Sequence, residues 1–146
     1  MIEMVVTMSI IAFVTAMAMP SLLTYWRSAT LRGAAEELAT GLNRGRHLAI
    51  AQGQRACVEV VTSQYRYRMS PAAGGNACDG AIWAGPGADA NGFFRLANSA
   101  TFTANANPVF DYLGAATGAT FTVTAPQIAT TLKVVVSVSG RVQITN

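Results

Sequence analysis

The strongest constraint on this chain is a run without charge from Met4 to Trp26, headed by one carboxylate at Glu3. Coiled as a helix at ~1.5 Å per residue, the run measures about 35 Å, enough to cross the hydrocarbon core of a bilayer. An acid at the head of such a helix is costly in lipid and is normally there to meet a partner. A secretory signal peptide would need a basic n-region and a small-residue cleavage site, and no Lys or Arg stands before Arg27. Pro20 interrupts the run; lacking an N–H and crowding the preceding turn, it is expected to kink or locally open the helix. Tyr25-Trp26-Arg27 closes the run with the aromatic and basic residues that favour a membrane interface.

The helical pattern continues to about residue 52 but changes character. Leu31, Ala35, Leu38, Leu42, Gly45 and Ala49 recur every three or four residues and form one apolar face. Arg27, Arg32, Glu36, Glu37, Asn43 and Arg44 mostly lie elsewhere. Residues 1–26 therefore read as an all-apolar half helix, suited to lipid or to other helices. Residues 27–52 read as an amphipathic half helix that can lie on a domain, and Gly53 supplies a C-terminal stop.

Residues 53–146 read as a β-rich globular domain of short strands between turn residues. Arg55–Val61 and Tyr65–Met69 alternate as half-buried strands, with Ser63-Gln64 as the expected hairpin turn. Pro71 to Gly92 is a Gly/Ala/Asn-rich excursion expected to hold at most a short strand. Phe93–Leu96, Ala100–Ala104, Pro108–Tyr112, Ala119–Thr124 and Leu132–Val138 are further candidates. Ser139-Gly140 is read as a two-residue hairpin turn into Arg141–Thr145. The resulting class is α+β, a long N-terminal helix packed on an antiparallel β-domain. The two cysteines, Cys57 and Cys78, suit one disulfide in an oxidising compartment, stapling the Gly-rich excursion to a strand. Two thiolates alone make a poor metal site.

The N-terminal stretch Met1-Ile2-Glu3-Met4-Val5-Val6 resembles the mature N-terminus of type IV pilins and type II secretion pseudopilins. In those families a Glu opens a hydrophobic helix and a Pro interrupts it about five turns later, as Glu3 and Pro20 do here. The resemblance implies a leader cut after an upstream Gly, a methylated new N-terminus, and a Glu3 that pairs with the terminal amine of a neighbouring subunit. Met1 would then be internal to a processed chain. A narrower likeness is to the GspH/FimT group, through Arg46, Ala49 and Ile50 near the helix end and the closing Gly140-Arg141. In DNA-uptake members of that group a second Arg two residues after the first helps to bind DNA; here that position is Gln143.

These likenesses imply a structural subunit of a bacterial type IV pilus-like or type II secretion pseudopilus filament. It would wait in the inner membrane and then assemble, with copies of itself and other pilins or pseudopilins, into a periplasmic or extracellular filament. Glu3 and Pro20 are the expected assembly residues. The alternative is a minor pilin that binds DNA for uptake, with Arg141, Arg66 and Arg68 as the residues to watch. Charge lends this alternative little support, because six basic groups (Arg55, Arg66, Arg68, Arg95, Lys133 and Arg141) face Glu59, Asp79, Asp89 and Asp111 in the soluble part. No catalytic constellation is marked out. His47 is the single histidine and reads as a solvated helix residue, and Gly85-Pro86-Gly87 opens no helix and fails as a phosphate loop. No enzymatic activity, metal or cofactor is expected.

Overall fold

The computed structural model describes residues 2–71, 77–97, 99–126 and 128–145, apart from the side chains of Met17, Ala18 and Pro20. A single helix, α1, runs from Ile2–Gln52. It is continuous through position 20, so the expected local opening is absent there, and the Pro20 side chain lies outside the described ones. The helix ends as Gly53 dictates. Gly53 takes φ of 61°, which lets its N–H reach the Ile50 carbonyl at 3.3 Å and the Gln54 N–H reach Ala49 at 3.1 Å. Those two bonds form a Schellman cap.

Among the described residues nine strands follow: β1 (Arg55–Val61), β2 (Gln64–Ser70), β3 (Ala81–Trp83), β4 (Phe94–Arg95), β5 (Thr101–Ala104), β6 (Val109–Phe110), β7 (Ala119–Thr124), β8 (Leu132–Val136) and β9 (Val142–Thr145). They form two antiparallel sheets. One has the order β3-β2-β1-β6, with β4 also on β2, and the other has the order β5-β7-β8-β9. Val58 and Tyr67 pair across the first sheet, while Phe121 and Val134 pair across the second, and all four are buried.

The second half of α1 is the common wall of both sheets, touching β1 and β6 of one and β7, β8 and β9 of the other. Its buried residues Leu31, Ala34, Ala35, Leu38, Leu42 and Ala49 complete one core with Phe102, Phe110 and Phe121. Leu38 and Leu42 are fully buried, each contributing about 1.5–3 kcal/mol.

The helix approaches the first sheet unusually closely at two glycines. A Cβ at Gly41 would collide with the Tyr65 hydroxyl and ring, and one at Gly45 would stand 3.1 Å from the Tyr67 ring. A glycine in a helix interior costs ~1 kcal/mol relative to Ala; here the space is taken by aromatic rings. The Tyr67 hydroxyl donates to the Gly41 carbonyl at 2.7 Å in the core. Tyr65 stacks on Phe94 at 5.4 Å and meets Tyr67 edge-on at 5.7 Å.

Two expected turns are corrected. The β1–β2 turn is Thr62-Ser63, one residue earlier than expected, since Val61 pairs with Gln64. Thr62 and Ser63 both take positive φ, 45° and 60°, as a two-residue turn matched to the strand twist requires. The β8–β9 connection is longer than a two-residue turn. The Gly140 N–H bonds to Ser137 O and the Ser137 N–H to Arg141 O, both at 2.9 Å, with Gly140 at φ 76°. A turn followed by a left-handed glycine is the three-residue solution. In the Gly-rich excursion, a 3₁₀ turn at Ala77–Asp79 and the short β3 are present; residues 72–76 lie outside the described ones.

Burial pushes the Tyr67 hydroxyl well above the ordinary tyrosine range. The unfolded chain ionises there at about pH 10 while the folded chain resists, so stability holds below that pH and falls as pH rises above it. Tyr67→Phe should cost about 1 kcal/mol at neutral pH and flatten the alkaline fall. Urea unfolding in mild detergent, at neutral pH and above pH ~10, checks this. An alkaline fall as steep as in the wild type would contradict it.

Candidate assembly helix and arginine surfaces

Among the described residues nothing covers the first half of α1. Ile2, Val5, Met8, Ile11, Phe13, Leu22 and Leu23 are all more than half exposed. The hydroxyls in this stretch bond back to the helix itself. Thr7 donates to Met4 O at 2.9 Å, Ser9 to Val5 O at 2.7 Å and Thr15 to Ile11 O at 2.8 Å, and Thr24 donates to Ser21 O at 3.0 Å. A helix whose polar side chains satisfy themselves locally needs no water along its flanks. By length and hydropathy it suffices to cross a membrane. Glu3 lies in the first turn, where a carboxylate also complements the helix dipole.

Cys57 and Cys78 are joined, with Cα atoms 5.1 Å apart. The bond ties β1 to the 3₁₀ turn and covers the sheet face opposite the helix.

The three arginines singled out for nucleic acid are not gathered into one patch. Arg66 and Arg68 lie on β2 of the first sheet and Arg141 lies in the β8–β9 connection of the second. One carboxylate oxygen of Glu59, on β1, accepts from Arg66 Nε at 2.6 Å and Arg68 Nε at 2.5 Å. The Arg66 hydrogen bond holds the Glu59 carboxyl below its usual range, with Arg68 adding to it against the opposing effect of burial. Arg66 also lies over the Phe93 ring at 4.6 Å, and Arg68 donates to Gly80 O at 3.2 Å. Both guanidiniums are thus engaged within the sheet. Arg141 is exposed, and with the Gln143 amide turned to accept, its Nε and one terminal nitrogen each stand 2.9 Å from that oxygen. Position 143 therefore engages the charge of Arg141 where a second arginine would double it.

Sequence reasoning missed the role of two helix arginines. Arg44 lies over the Trp83 ring at 4.9 Å and Phe94 at 5.5 Å, and donates to Pro86 O at 3.3 Å. Arg46 runs between two loops. Its Nε is buried without a hydrogen-bond partner among the described residues, beside Gly114 and Gly140. The available signal was a guanidinium one residue from Gly45 on the packed face. His47 is exposed. Among the described residues no cluster of His, Cys, Asp or Glu could hold a metal ion.

The same geometry explains Gly140 in the Gly-Arg pair. A Cβ there would strike the Gly114 carbonyl and stand 3.2 Å from Arg46 Nε, at a φ that L side chains rarely adopt. Gly140→Ala should lower stability by about 1–3 kcal/mol, whereas Arg141→Ala should change it by less than about 0.5 kcal/mol. Urea midpoints of the two variants check the contrast, and equal midpoints would contradict it.

The family described as type II transport protein GspH matches residues 34–140. No curated protein matches the chain. Among solved structures, the type IV minor pilin FimU of Pseudomonas aeruginosa is 22% identical, covering 84% of this chain and 92% of its own, with a TM-score of 0.57. The minor pseudopilin EpsH from the type 2 secretion system of Vibrio cholerae is 14% identical, covering 79% of this chain and 95% of its own, also with a TM-score of 0.57. At these identities the likeness shows the fold, a long helix packed on antiparallel sheets. The family match covers most of the chain, from Ala34 on the packed half of α1 through β8 to Gly140, and on that ground the chain belongs to the GspH family of pilin-like proteins.

Proposed function

We propose that this chain is a subunit of a type IV pilus-like or type II secretion pseudopilus filament, anchored in the bacterial inner membrane by α1 before assembly. The observation that carries the reading is the division of one continuous helix. The half from Leu31 onward is covered by its own domain, and the half before it exposes apolar side chains all round. Such a half helix leaves lipid without penalty only if equivalent helices replace the lipid. FimU is a minor pilin and EpsH a minor pseudopilin, so both destinations have support. On this reading residues 1–26 are the filament-core half, residues 27–52 the domain-bound half, and residues 53–146 the periplasmic or exterior domain.

In such a core the Glu3 carboxylate would leave water, which is costly unless a positive charge meets it. The terminal amine of a staggered neighbour is the natural partner and rewards one register of docking. Glu3→Ala and Glu3→Gln should leave the chain inserted in the membrane but reduce its incorporation into filaments. Subunit content of sheared filaments against membranes, after N-terminal processing of each variant is verified, reads this directly. Equal filament content in all three proteins would remove Glu3 as the assembly contact.

DNA binding for uptake is the weaker alternative. Its support is the exposed Arg141 beside Gly140, and Glu59 already holds Arg66 and Arg68. Any DNA binding should be weak and should fall steeply with salt. Tight, salt-sensitive binding lost in Arg141→Ala would reverse the order of the two readings.

A further inference from the structure

Where α1 leaves its apolar half, it runs past the segment that joins β7 to β8, and the two enclose an open groove. The groove has a volume of about 560 Å³ and is walled by Tyr25, Ser28 and Arg32 on the helix and Thr130 and Thr131 on the segment. It continues into a second hollow of about 530 Å³ that adds Arg27. Tyr25 and Ser28 line both.

The position of this groove along the helix is set by the uncharged run. If residues 4 to 26 occupy the hydrocarbon core, Ser28 lies ~3 Å beyond it along the axis, within the headgroup layer. Tyr25 and Trp26 then sit at the depth where aromatic residues concentrate. The charge on this part of the helix is mainly positive, with Glu36 as the nearest acid beyond it. Arg27 and Arg32 are the only charged residues between Glu3 and Glu36, and the segment Pro126 to Thr131 carries none. Glu36 takes Arg32 Nε at 3.1 Å, which leaves the other guanidinium nitrogens of Arg32 to a second acceptor. The Ser28 hydroxyl is already committed to Tyr25 O at 2.8 Å, while Thr130 and Thr131 are exposed on the opposite wall. Arg32 with Thr130 and Thr131 in the first hollow, and Arg27 with Thr130 in the adjoining one, give a row of donors complementary to a phosphodiester.

We infer that this groove binds the phosphodiester headgroup of an anionic phospholipid while the chain waits in the membrane, a site that rests on the membrane stage proposed above. Bound there, a lipid fixes the depth of the helix and the orientation of the domain on the bilayer, and it must be released when the subunit enters a filament.

The test uses the full chain in nanodiscs and in micelles holding phosphatidylglycerol and phosphatidylcholine of identical acyl chains in equal amount. Native mass spectrometry then counts the lipid retained. The site predicts preferential retention of phosphatidylglycerol, with a loss of about fivefold for each of Arg27→Gln and Arg32→Gln. Lys133→Gln, a cation outside the groove, should retain the preference. Thr130→Trp, which fills the groove and leaves every charge in place, should abolish it, with folding verified by the intact Cys57–Cys78 bond. Equal retention of the two lipids would overturn the groove and assign it to protein contacts or solvent. Preference surviving in Thr130→Trp would overturn it in favour of diffuse surface attraction. Displacement of the lipid by millimolar inorganic phosphate alone would reassign the site to a free anion. A chain that stays outside the nanodisc would overturn the membrane stage as well, whereas one that inserts and shows no preference would overturn only the groove.

Discussion

The close approach of α1 to the first sheet at Gly41 and Gly45 is the constraint on which the other contacts depend. Tyr65 and Tyr67 reach the helix backbone because no Cβ stands between, and the Tyr67 hydroxyl closes the gap on the Gly41 carbonyl. That contact sets the height of the sheet on the helix. It places Phe94 over Tyr65, and Arg44 over Phe94 and Trp83. One turn further on, Arg46 threads between the Gly114 and Gly140 loops, so the second sheet is referenced to the same few helical residues. Small residues on the helix are thus used to lock a rigid aromatic layer against it, which is worth more here than the helix propensity they forgo.

Much of this was legible from the residues. The apolar stripe at Leu31, Ala35, Leu38, Leu42, Gly45 and Ala49 is the buried face, the Gly53 cap ends the helix, and β7 falls on Ala119–Thr124 as its alternation implies. The Cys57–Cys78 pairing also stands. What could not be read has physical causes. Thr62-Ser63 is a left-handed turn made without Gly or Asn, so turn composition gave no sign of it. The Ser137–Gly140 connection depends on a left-handed glycine whose loop length is indistinguishable in sequence from a tighter hairpin. The split into two sheets rests on long-range pairing such as that of β5 with β7, which no local pattern encodes. The pairing of Arg66 and Arg68 with Glu59 belongs to the same class, because it needed the register of β1 against β2. That register changes the functional reading, since residues that look like a basic strand face in the sequence are neutralised in part by their neighbour.

The two halves of the helix obey opposite demands within one unbroken element. From Leu31 onward, burial against the domain holds it in place. Before that, hydroxyls turn back on the helix and the surface is apolar throughout. The transition is sharp, and it coincides with Tyr25, Trp26, Arg27 and Arg32, the residues that suit a membrane boundary. A chain built in this way is stable as a domain while remaining incomplete as a surface.

The most direct test of that division is cysteine crosslinking between copies along α1, in membranes and in sheared filaments. Single cysteines at positions 6, 10, 13, 38 and 42 would be oxidised with the native Cys57–Cys78 bond intact. The account predicts intermolecular disulfides from Val6, Ile10 and Phe13 and none from Leu38 or Leu42, which the chain's own sheets enclose. Crosslinks through Leu38 or Leu42 in folded protein, with none through the first half, would contradict it.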